Sequence, residues 1–148
     1  MIITKLFTWG MSHRLPSHDG LCKNIHGHEY KLEVSLHGSV YNNPCDVKDY
    51  GSCESSAGMI IDFKNFKSIV NDMVIDKLDH AYVSWDKDDP DIIKLFKDKD
   101  LKIVLVPFIP TAENLVQWIW DALSNRFNLS KIRLYETPTS WVETNTHS

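Results

Sequence analysis

The sequence has no excess of positive charge and no long apolar run. Asp and Glu (20) outnumber Lys and Arg (16), which gives a formal net charge of −4 with neutral His. A nucleic-acid binder needs a basic excess to neutralise phosphates, so this balance argues against that class. No apolar stretch approaches the roughly 20 residues that span a bilayer, so we expect no membrane segment. The first residues lack the basic-then-apolar order of a signal peptide, and we expect a cytoplasmic protein.

Cysteine is scarce, because the chain has three: Cys22, Cys45 and Cys53. An odd number cannot pair completely, and a cytosol keeps thiols reduced. We therefore expect no disulfide framework and assign no role to Cys45 or Cys53. Repeats, low-complexity tracts and linker-like segments are also missing. A chain of 148 residues with 43% hydrophobic content is expected to fold as one domain over residues 1–148.

Hydrophobic periodicity predicts strands near both ends of the chain and helices between them. Strands are predicted over 3–9, 30–37, 102–108, 131–137 and 140–144. Helices are predicted from Asp62 to Leu78, over about 91–97, and from Thr111 onward, with Asp62 and Thr111 as N-caps. The polar segment 39–57 and the acidic segment 86–91 are predicted to be solvated loops.

The element order predicts an α+β fold with an antiparallel four-stranded sheet and two main helices on one face. Such a sheet leaves two exposed edges, which are a hazard for a soluble protein. Closing a barrel through several subunits would remove both edges. We therefore expect a homo-oligomer.

Three histidines predict a metal site. His26 and His28 are one residue apart on an extended segment, so their side chains point to the same side. If the first two strands form an antiparallel hairpin, His13 lies near His26 across the ladder. Three protein ligands with one open position describe a catalytic zinc site, and neutral imidazole is a common zinc ligand. His18, in a nearby loop, is an alternative third ligand.

Two further groups are candidates for proton transfer. Cys22 precedes the histidine pair, and a thiolate close to a metal could act as a general base, although a lone Cys is more often a small buried apolar residue. Asp79 and His80 follow the first helix. They suit an acid–base pair, or, more commonly, an imidazole that complements a helix C-terminus beside a turn-forming Asp.

Glu136 is a candidate for ligand recognition. By strand alternation it shares a face with Ile132 and Leu134, so a carboxylate follows two apolar side chains. A carboxylate in such a place needs partners. A bidentate carboxylate suits the adjacent N–H and NH₂ groups of a guanine-like or pterin-like ring. The alternative is a salt bridge with Lys131 or Arg133.

Six sequence blocks, in this order, resemble the 6-pyruvoyl-tetrahydropterin synthase and 6-carboxy-tetrahydropterin synthase family. The resemblance covers nearly the whole chain, and six ordered blocks are far more specific than any one of them. The blocks are Phe7–Leu15, Cys22 with His26-Gly27-His28 and Tyr30, Gly58–Phe63, Leu78-Asp79-His80, Pro110–Leu115 and Glu136-Thr137.

This resemblance implies a tunnelling fold (T-fold), in which the sheets of several subunits close into a barrel with active sites between subunits. The implied homo-oligomer is trimer-based and extends to a hexamer in some arrangements. The implied cofactor is Zn²⁺, and the family roles transfer to eight positions. They are His13, His26 and His28 for the metal, Cys22 as catalytic base, Asp79 and His80 for proton transfer, and Glu136 and Thr111 for binding the pterin.

The gap between Cys22 and His26 indicates the subgroup. A three-residue gap resembles the 6-carboxy-tetrahydropterin synthases of 7-deazaguanine (queuosine) biosynthesis, whereas pyruvoyl-forming enzymes usually have a longer one. The implied lyase converts 7,8-dihydroneopterin triphosphate to 6-carboxy-5,6,7,8-tetrahydropterin, acetaldehyde and triphosphate. Residues 81–84 and 138–141 depart from the family pattern. They leave open a 6-pyruvoyl-tetrahydropterin synthase, a non-catalytic pterin-binding protein, and a small domain with a structural zinc.

Overall fold

The computed structural model describes residues 1–41 and 56–146. Cys45, Cys53 and most of the loop predicted over 39–57 lie outside the described residues. Within the described ranges, one sheet contains six strands: β1 (Ile2–His13), β2 (His26–His37), β3 (Tyr82–Trp85), β4 (Ile103–Val106), β5 (Leu129–Thr137) and β6 (Ser140–Asn145).

The helices lie between these strands. Helix α1 (Phe63–Val70) continues through a π-helical turn (Asn71–Ile75) into the single turn α2 (Asp76–Leu78), so the first predicted helix is present with a bulge. Helix α3 (Pro90–Asp98) and helix α4 (Ala112–Ser124) match the other two predictions. No helix in the described part of the chain is long and apolar enough to cross a membrane.

Both predicted N-caps are confirmed. The Asp62 side chain accepts hydrogen bonds from the backbone N–H groups of Lys64 (2.7 Å) and Asn65 (3.2 Å). The Thr111 hydroxyl accepts one from the backbone N–H of Asn114 at 3.3 Å. These bonds satisfy N–H groups that have no partner inside the helix, so they fix where α1 and α4 begin.

The sheet is mixed, with the strand order β4-β3-β1-β2-β5-β6. β3 is parallel to β1 and β4 is parallel to β3, whereas the other neighbours are antiparallel. The α+β class is confirmed, but the predicted four-stranded antiparallel sheet is wrong in both strand number and strand direction. β3 was not predicted because Tyr82 to Ser84 are all buried, and such a run lacks the alternation of a half-buried strand.

Helices α1 and α4 bury their apolar faces in the same core, as predicted. Phe66 and Val70 of α1 and Leu115 and Ile119 of α4 are fully buried. They pack in one cluster with apolar side chains of the strands. A single core therefore covers one face of the sheet.

Helix α3 packs on the opposite face. Phe96 stacks on Tyr82 with ring centroids 4.6 Å apart. Tyr82 alternates along β3 with Val83, and Val83 belongs to the main core, so Tyr82 faces away from that core. The segment β3–α3–β4 (residues 82–106) is thus a parallel crossover unit beside β1.

The predicted hairpin of the first two strands is confirmed. Every residue of β1 pairs with one of β2, from Ile2 opposite His37 to His13 opposite His26. On the core-facing side, Trp9 stacks on Tyr30 with ring centroids 5.7 Å apart. Beyond this pair the core-facing positions change from apolar residues to histidines.

Candidate metal centre and adjoining cavity

Three histidines meet at the end of the β1–β2 ladder. One ring nitrogen from each of His13, His26 and His28 lies within 4.8 Å of the others. The ring centroids are 4.7, 5.4 and 5.0 Å apart. The cluster follows from the strand register, because His26 and His28 share a face and His13 lies opposite His26. His18 lies outside the cluster, where its Nδ1 accepts the Gly20 N–H at 2.9 Å.

The hydrogen bonds of these histidines leave ring nitrogens free to bind a metal. Nδ1 of His13 lies 2.8 Å from the Pro110 carbonyl oxygen, and Nδ1 of His26 lies 2.7 Å from that of Asn24. A carbonyl can only accept, so each Nδ1 carries the proton and each Nε2 of the neutral ring keeps a lone pair. Nε2 of His28 is buried without a hydrogen-bond partner among the described residues. Three such imidazoles fit a zinc ion with one open position.

Burial favours the neutral form of His13. The residue is 1% exposed, and burial lowers the pKa of its imidazole. The Pro110 carbonyl and the Glu136 carboxylate act in the opposite direction. The neutral ring is the form that binds a metal, so the site is prepared for an ion at neutral pH.

Tyr30 forms the floor of the cluster. Its hydroxyl oxygen lies 3.4 Å from Nε2 and 3.5 Å from Nδ1 of His13, and its ring stands edge-on to the rings of His13 and His28. Burial raises the pKa of the Tyr30 phenol, so the hydroxyl keeps its proton. Sequence reasoning assigned Tyr30 no role, although its place two residues after His28 on the same strand face was a usable signal.

Glu136 lies beside the histidines, on the strand face that alternation predicted. Ile132 and Leu134 are fully buried, and Glu136 follows them toward the end of β5. Its Oε1 is 3.6 Å from Nε2 of His28, which is too long for a direct hydrogen bond. The side chain is 29% exposed, so the carboxylate can meet a ligand.

The alternative interpretation of Glu136 as a salt-bridge partner is not what the structure contains. Arg133 pairs instead with Glu143, with an N–O distance of 2.7 Å. Lys131 forms no ion pair with Glu136 within the described ranges. The carboxylate of Glu136 therefore has no nearby Lys or Arg partner in the described part of the chain.

A cavity of about 430 Å³ lies between the start of α4 and the ends of β5 and β6. Its walls include Thr111, Glu113, Glu136, Ser140 and Val142. The volume lies in the range of small-molecule sites, roughly 300–1,000 Å³. Thr111 and Glu136, both predicted to contact substrate, thus line one cavity.

Cys22 lies in a 3-10 turn (Leu21–Lys23) and is half-buried. It is not a member of the three-histidine cluster. Its backbone carbonyl accepts the N–H of Leu15 at 2.8 Å, which joins the turn to the chain just after His13. The structure thus attaches the thiol-bearing turn to the metal strand, and the catalytic role of Cys22 stays a prediction.

Asp79 and His80 form a hydrogen-bonded pair at the surface. Nδ1 of His80 lies 2.9 Å from Oδ1 of Asp79, and 87% of the His80 side chain is exposed. His80 has φ 61°, a left-handed conformation, and its N–H donates to the Gly10 carbonyl at 2.7 Å. The two side chains are together, as predicted, but they lie outside the cluster of His13, His26 and His28 within one chain.

The fold and the site define a class: an α+β protein with a three-histidine metal site that opens on a small-molecule cavity. The family described as 6-pyruvoyl tetrahydropterin synthase matches residues 2–147, and the chain belongs to this family.

Individual relatives agree with this assignment. A 6-carboxy-5,6,7,8-tetrahydropterin synthase of Haemophilus influenzae is 37% identical over 145 residues, covering 95% of this chain and 96% of that protein. A 6-pyruvoyl tetrahydrobiopterin synthase of Dictyostelium discoideum is 30% identical over 154 aligned positions, covering 96% and 93%. The solved structure of a Caenorhabditis elegans 6-pyruvoyl tetrahydropterin synthase superimposes with a TM-score of 0.65 at 23% identity, covering 98% and 94%. That structural likeness concerns the fold.

Proposed function

We propose that this chain is a zinc-dependent lyase that converts 7,8-dihydroneopterin triphosphate to 6-carboxy-5,6,7,8-tetrahydropterin, acetaldehyde and triphosphate. The observation that carries the proposal is the three-histidine cluster with Glu136 beside it. The name of the Haemophilus influenzae relative, at 37% identity, supports the same reaction. The proposed enzyme is one domain over residues 1–148 and acts in the cytoplasm, in 7-deazaguanine (queuosine) biosynthesis.

The three histidines are the proposed zinc ligands. When bound, the ion supplies Lewis-acid polarisation of the substrate side-chain hydroxyls. The hydrogen bonds from Nδ1 of His13 to Pro110 and from Nδ1 of His26 to Asn24 select the tautomer with a free Nε2. The backbone carbonyls therefore hold the ring protons away from the metal.

Glu136 and Thr111 are the proposed pterin-binding residues. The Glu136 carboxylate offers two acceptor oxygens to adjacent ring N–H groups, an arrangement that gives both strength and orientation. The Thr111 hydroxyl already accepts the Asn114 N–H at 3.3 Å, so its own proton remains available for a ring acceptor. Both side chains line the same cavity of about 430 Å³.

Cys22 and His80 are the proposed proton-transfer groups. The Cys22 thiolate would remove a proton from the substrate side chain as a general base. Asp79 accepts the Nδ1–H of His80 at 2.9 Å, which leaves Nε2 of His80 as its acid–base atom. Because 87% of the His80 side chain is exposed, we propose that it acts in a site shared with a neighbouring copy of the chain.

A homo-oligomer with a T-fold barrel is the proposed assembly. Within the described residues, β1 pairs with β3 only at Ser12 and His13, and β6 pairs only with β5. The sheet thus offers the long edge of β1 and the edge of β6 for pairing between copies. Closure of these edges in a trimer-based ring, or in a hexamer of two rings, would remove both and bring sites to subunit boundaries.

A second candidate function is 6-pyruvoyl-tetrahydropterin synthase. The description of the matching family and the name of the Dictyostelium discoideum relative favour it. The two functions share a substrate and differ in product, because only the lyase splits the side chain. The Cys22–His26 spacing is the feature that favours the carboxy-forming reaction.

Product identification tests the proposal. Zinc-loaded protein is incubated with 7,8-dihydroneopterin triphosphate, and the pterins are separated and identified by mass spectrometry. We expect 6-carboxy-tetrahydropterin. Accumulation of 6-pyruvoyl-tetrahydropterin alone would establish the second candidate instead. Tight binding of the pterin without either product would identify a non-catalytic pterin-binding protein.

A further inference from the structure

A buried ion pair lies one residue beyond the last histidine of β1. Arg14 follows His13 directly, and its Nε lies 3.2 Å from Oδ2 of Asp88. The Asp88 side chain is 2% exposed and that of Arg14 is 21% exposed. A carboxylate at this depth requires a compensating charge, because an unpaired buried ion is far less stable than a solvated one. Asp88 is thus the exception in the acidic segment that the sequence predicted to be solvated throughout.

Asp88 is also attached to the start of helix α3. Its Oδ1 accepts the N–H of Asp89 at 2.7 Å, and the Asp89 side chain caps α3 by accepting the N–H of Asp91 at 2.9 Å. Tyr82 is buried nearby. Burial raises the pKa of its phenol, the Asp88 carboxylate raises that pKa further, and the charge of Arg14 lowers it. The ion pair therefore belongs to the polar side of the crossover unit, away from the main core.

The backbone connection between β1 and the crossover unit is short. Two residue pairs, Ser12 with Tyr82 and His13 with Val83, join β1 to β3. His13 occupies the last position of this ladder and, on its other side, the last position of the ladder to β2. The Arg14–Asp88 contact fastens the residue that follows, so displacement of the His13 backbone would separate the two charges.

We propose that the Arg14–Asp88 ion pair is a positioning device for His13 and couples zinc affinity to the crossover unit. The inference rests on the zinc site of the proposed function. Arg14 and Asp88 act through the backbone of His13 and are not ligands. Their pairing holds the most buried of the three histidines where its ring can meet the other two.

Zinc affinity in a double-mutant cycle tests this inference. The affinity of the purified chain is measured by competition with a chromophoric chelator for the unaltered protein, Arg14→Gln, Asp88→Asn and the double variant. We expect each single substitution to weaken zinc binding about 10- to 100-fold, the range observed when residues that orient metal ligands are removed. The double variant is expected to bind no more weakly than the weaker single variant, because the two residues act as a unit.

A matched control separates positioning from general stability. Glu143→Gln breaks the exposed pair with Arg133, whose N–O distance is 2.7 Å, on strands that carry none of the three histidines. We expect it to leave zinc affinity unchanged. Arg14→Lys keeps the positive charge and is expected to recover part of the affinity lost in Arg14→Gln. The thermal midpoint of each metal-free protein is recorded in parallel.

The outcomes are distinct. Unchanged zinc affinity with a lowered thermal midpoint would make the pair purely structural and overturn the inference, as would fully additive losses in the double variant. If Asp88→Asn leaves Arg14 unpaired and prevents folding, the double variant still reports, because it removes both charges. Absence of zinc binding by the unaltered protein would overturn the zinc site itself, and with it the proposed function.

Discussion

The Nδ1–H of His13 donates to the Pro110 carbonyl at 2.8 Å, across 97 residues of sequence. Pro110 directly precedes Thr111, the N-cap of α4, and Thr111 lines the cavity that Glu136 also lines. One hydrogen bond thus joins the end of the metal strand to the wall of the cavity. The tautomer of His13 and the position of the cavity wall are therefore set together.

Removal of His13 should abolish tight metal binding. His13→Ala deletes the most buried member of the cluster and leaves two candidate ligands, too few for a stable three-ligand site. We expect zinc retained after dialysis to fall from about one ion per chain to near zero, measured by elemental analysis. His18→Ala is the matched control, because His18 lies in an exposed loop outside the cluster, and it should retain the ion. Equal zinc in both variants would refute the ligand assignment.

The metal-free protein should lose stability in acid. Burial lowers the pKa of folded His13 below the unfolded value near 6.5. Its stabilising contribution is therefore complete above about pH 6.5 and is lost as pH falls through the folded pKa. Each unit of difference between the two pKa values corresponds to about 1.4 kcal/mol.

Urea unfolding between pH 8 and pH 5 measures this effect. In His13→Asn the residue no longer titrates, so its free energy of unfolding should depend less on pH below 6.5. Identical pH dependence in the two proteins would contradict the predicted role of burial.

Substitution of Cys22 should separate metal binding from turnover. Cys22 lies outside the histidine cluster, so Cys22→Ala should keep its zinc. Loss of a general base typically costs a factor of 10² to 10⁴ in kcat. Cys45→Ala is the control for removal of a thiol, because the sequence gives Cys45 no role. A Cys22→Ala protein with full activity would show that another group takes the proton.

Glu136→Gln should weaken pterin binding and leave the metal in place. The amide keeps the shape of the side chain but replaces one acceptor oxygen with a donor, so paired ring N–H groups lose a partner. We expect the pterin Kd, measured by fluorescence titration, to rise about 10- to 100-fold, in line with roughly 1.5–3 kcal/mol for a hydrogen bond to a charged group. Glu143→Gln changes a carboxylate already paired with Arg133 and should leave that Kd unchanged. A comparable rise in both would mean that Glu136 has no specific role.

The sequence predicted the features that depend on local periodicity. Alternation along β2 and β5 predicted which way His26, His28 and Glu136 face, and capping residues predicted where α1 and α4 begin. The hairpin register followed from one assumption, antiparallel pairing of the first two strands, and it brought His13 next to His26.

The features that were missed depend on contacts distant in sequence. β3 is a short buried run without alternation, and its parallel pairing with β1 depends on the crossover through α3. The Pro110 carbonyl bonds His13 from 97 residues away. The partnership of Arg14 with Asp88 was likewise hidden, because Asp88 stands among other acidic residues that periodicity does not distinguish.

The most direct test of the central claim is the ratio of acetaldehyde formed to triphosphate released from 7,8-dihydroneopterin triphosphate by the zinc-loaded protein. Acetaldehyde is trapped as a hydrazone and both products are quantified in the same reaction. The proposed lyase splits the side chain in every turnover, so the account predicts one acetaldehyde for each triphosphate. Triphosphate release without acetaldehyde would contradict the carboxy-forming reaction, and release of neither would contradict catalysis on this substrate.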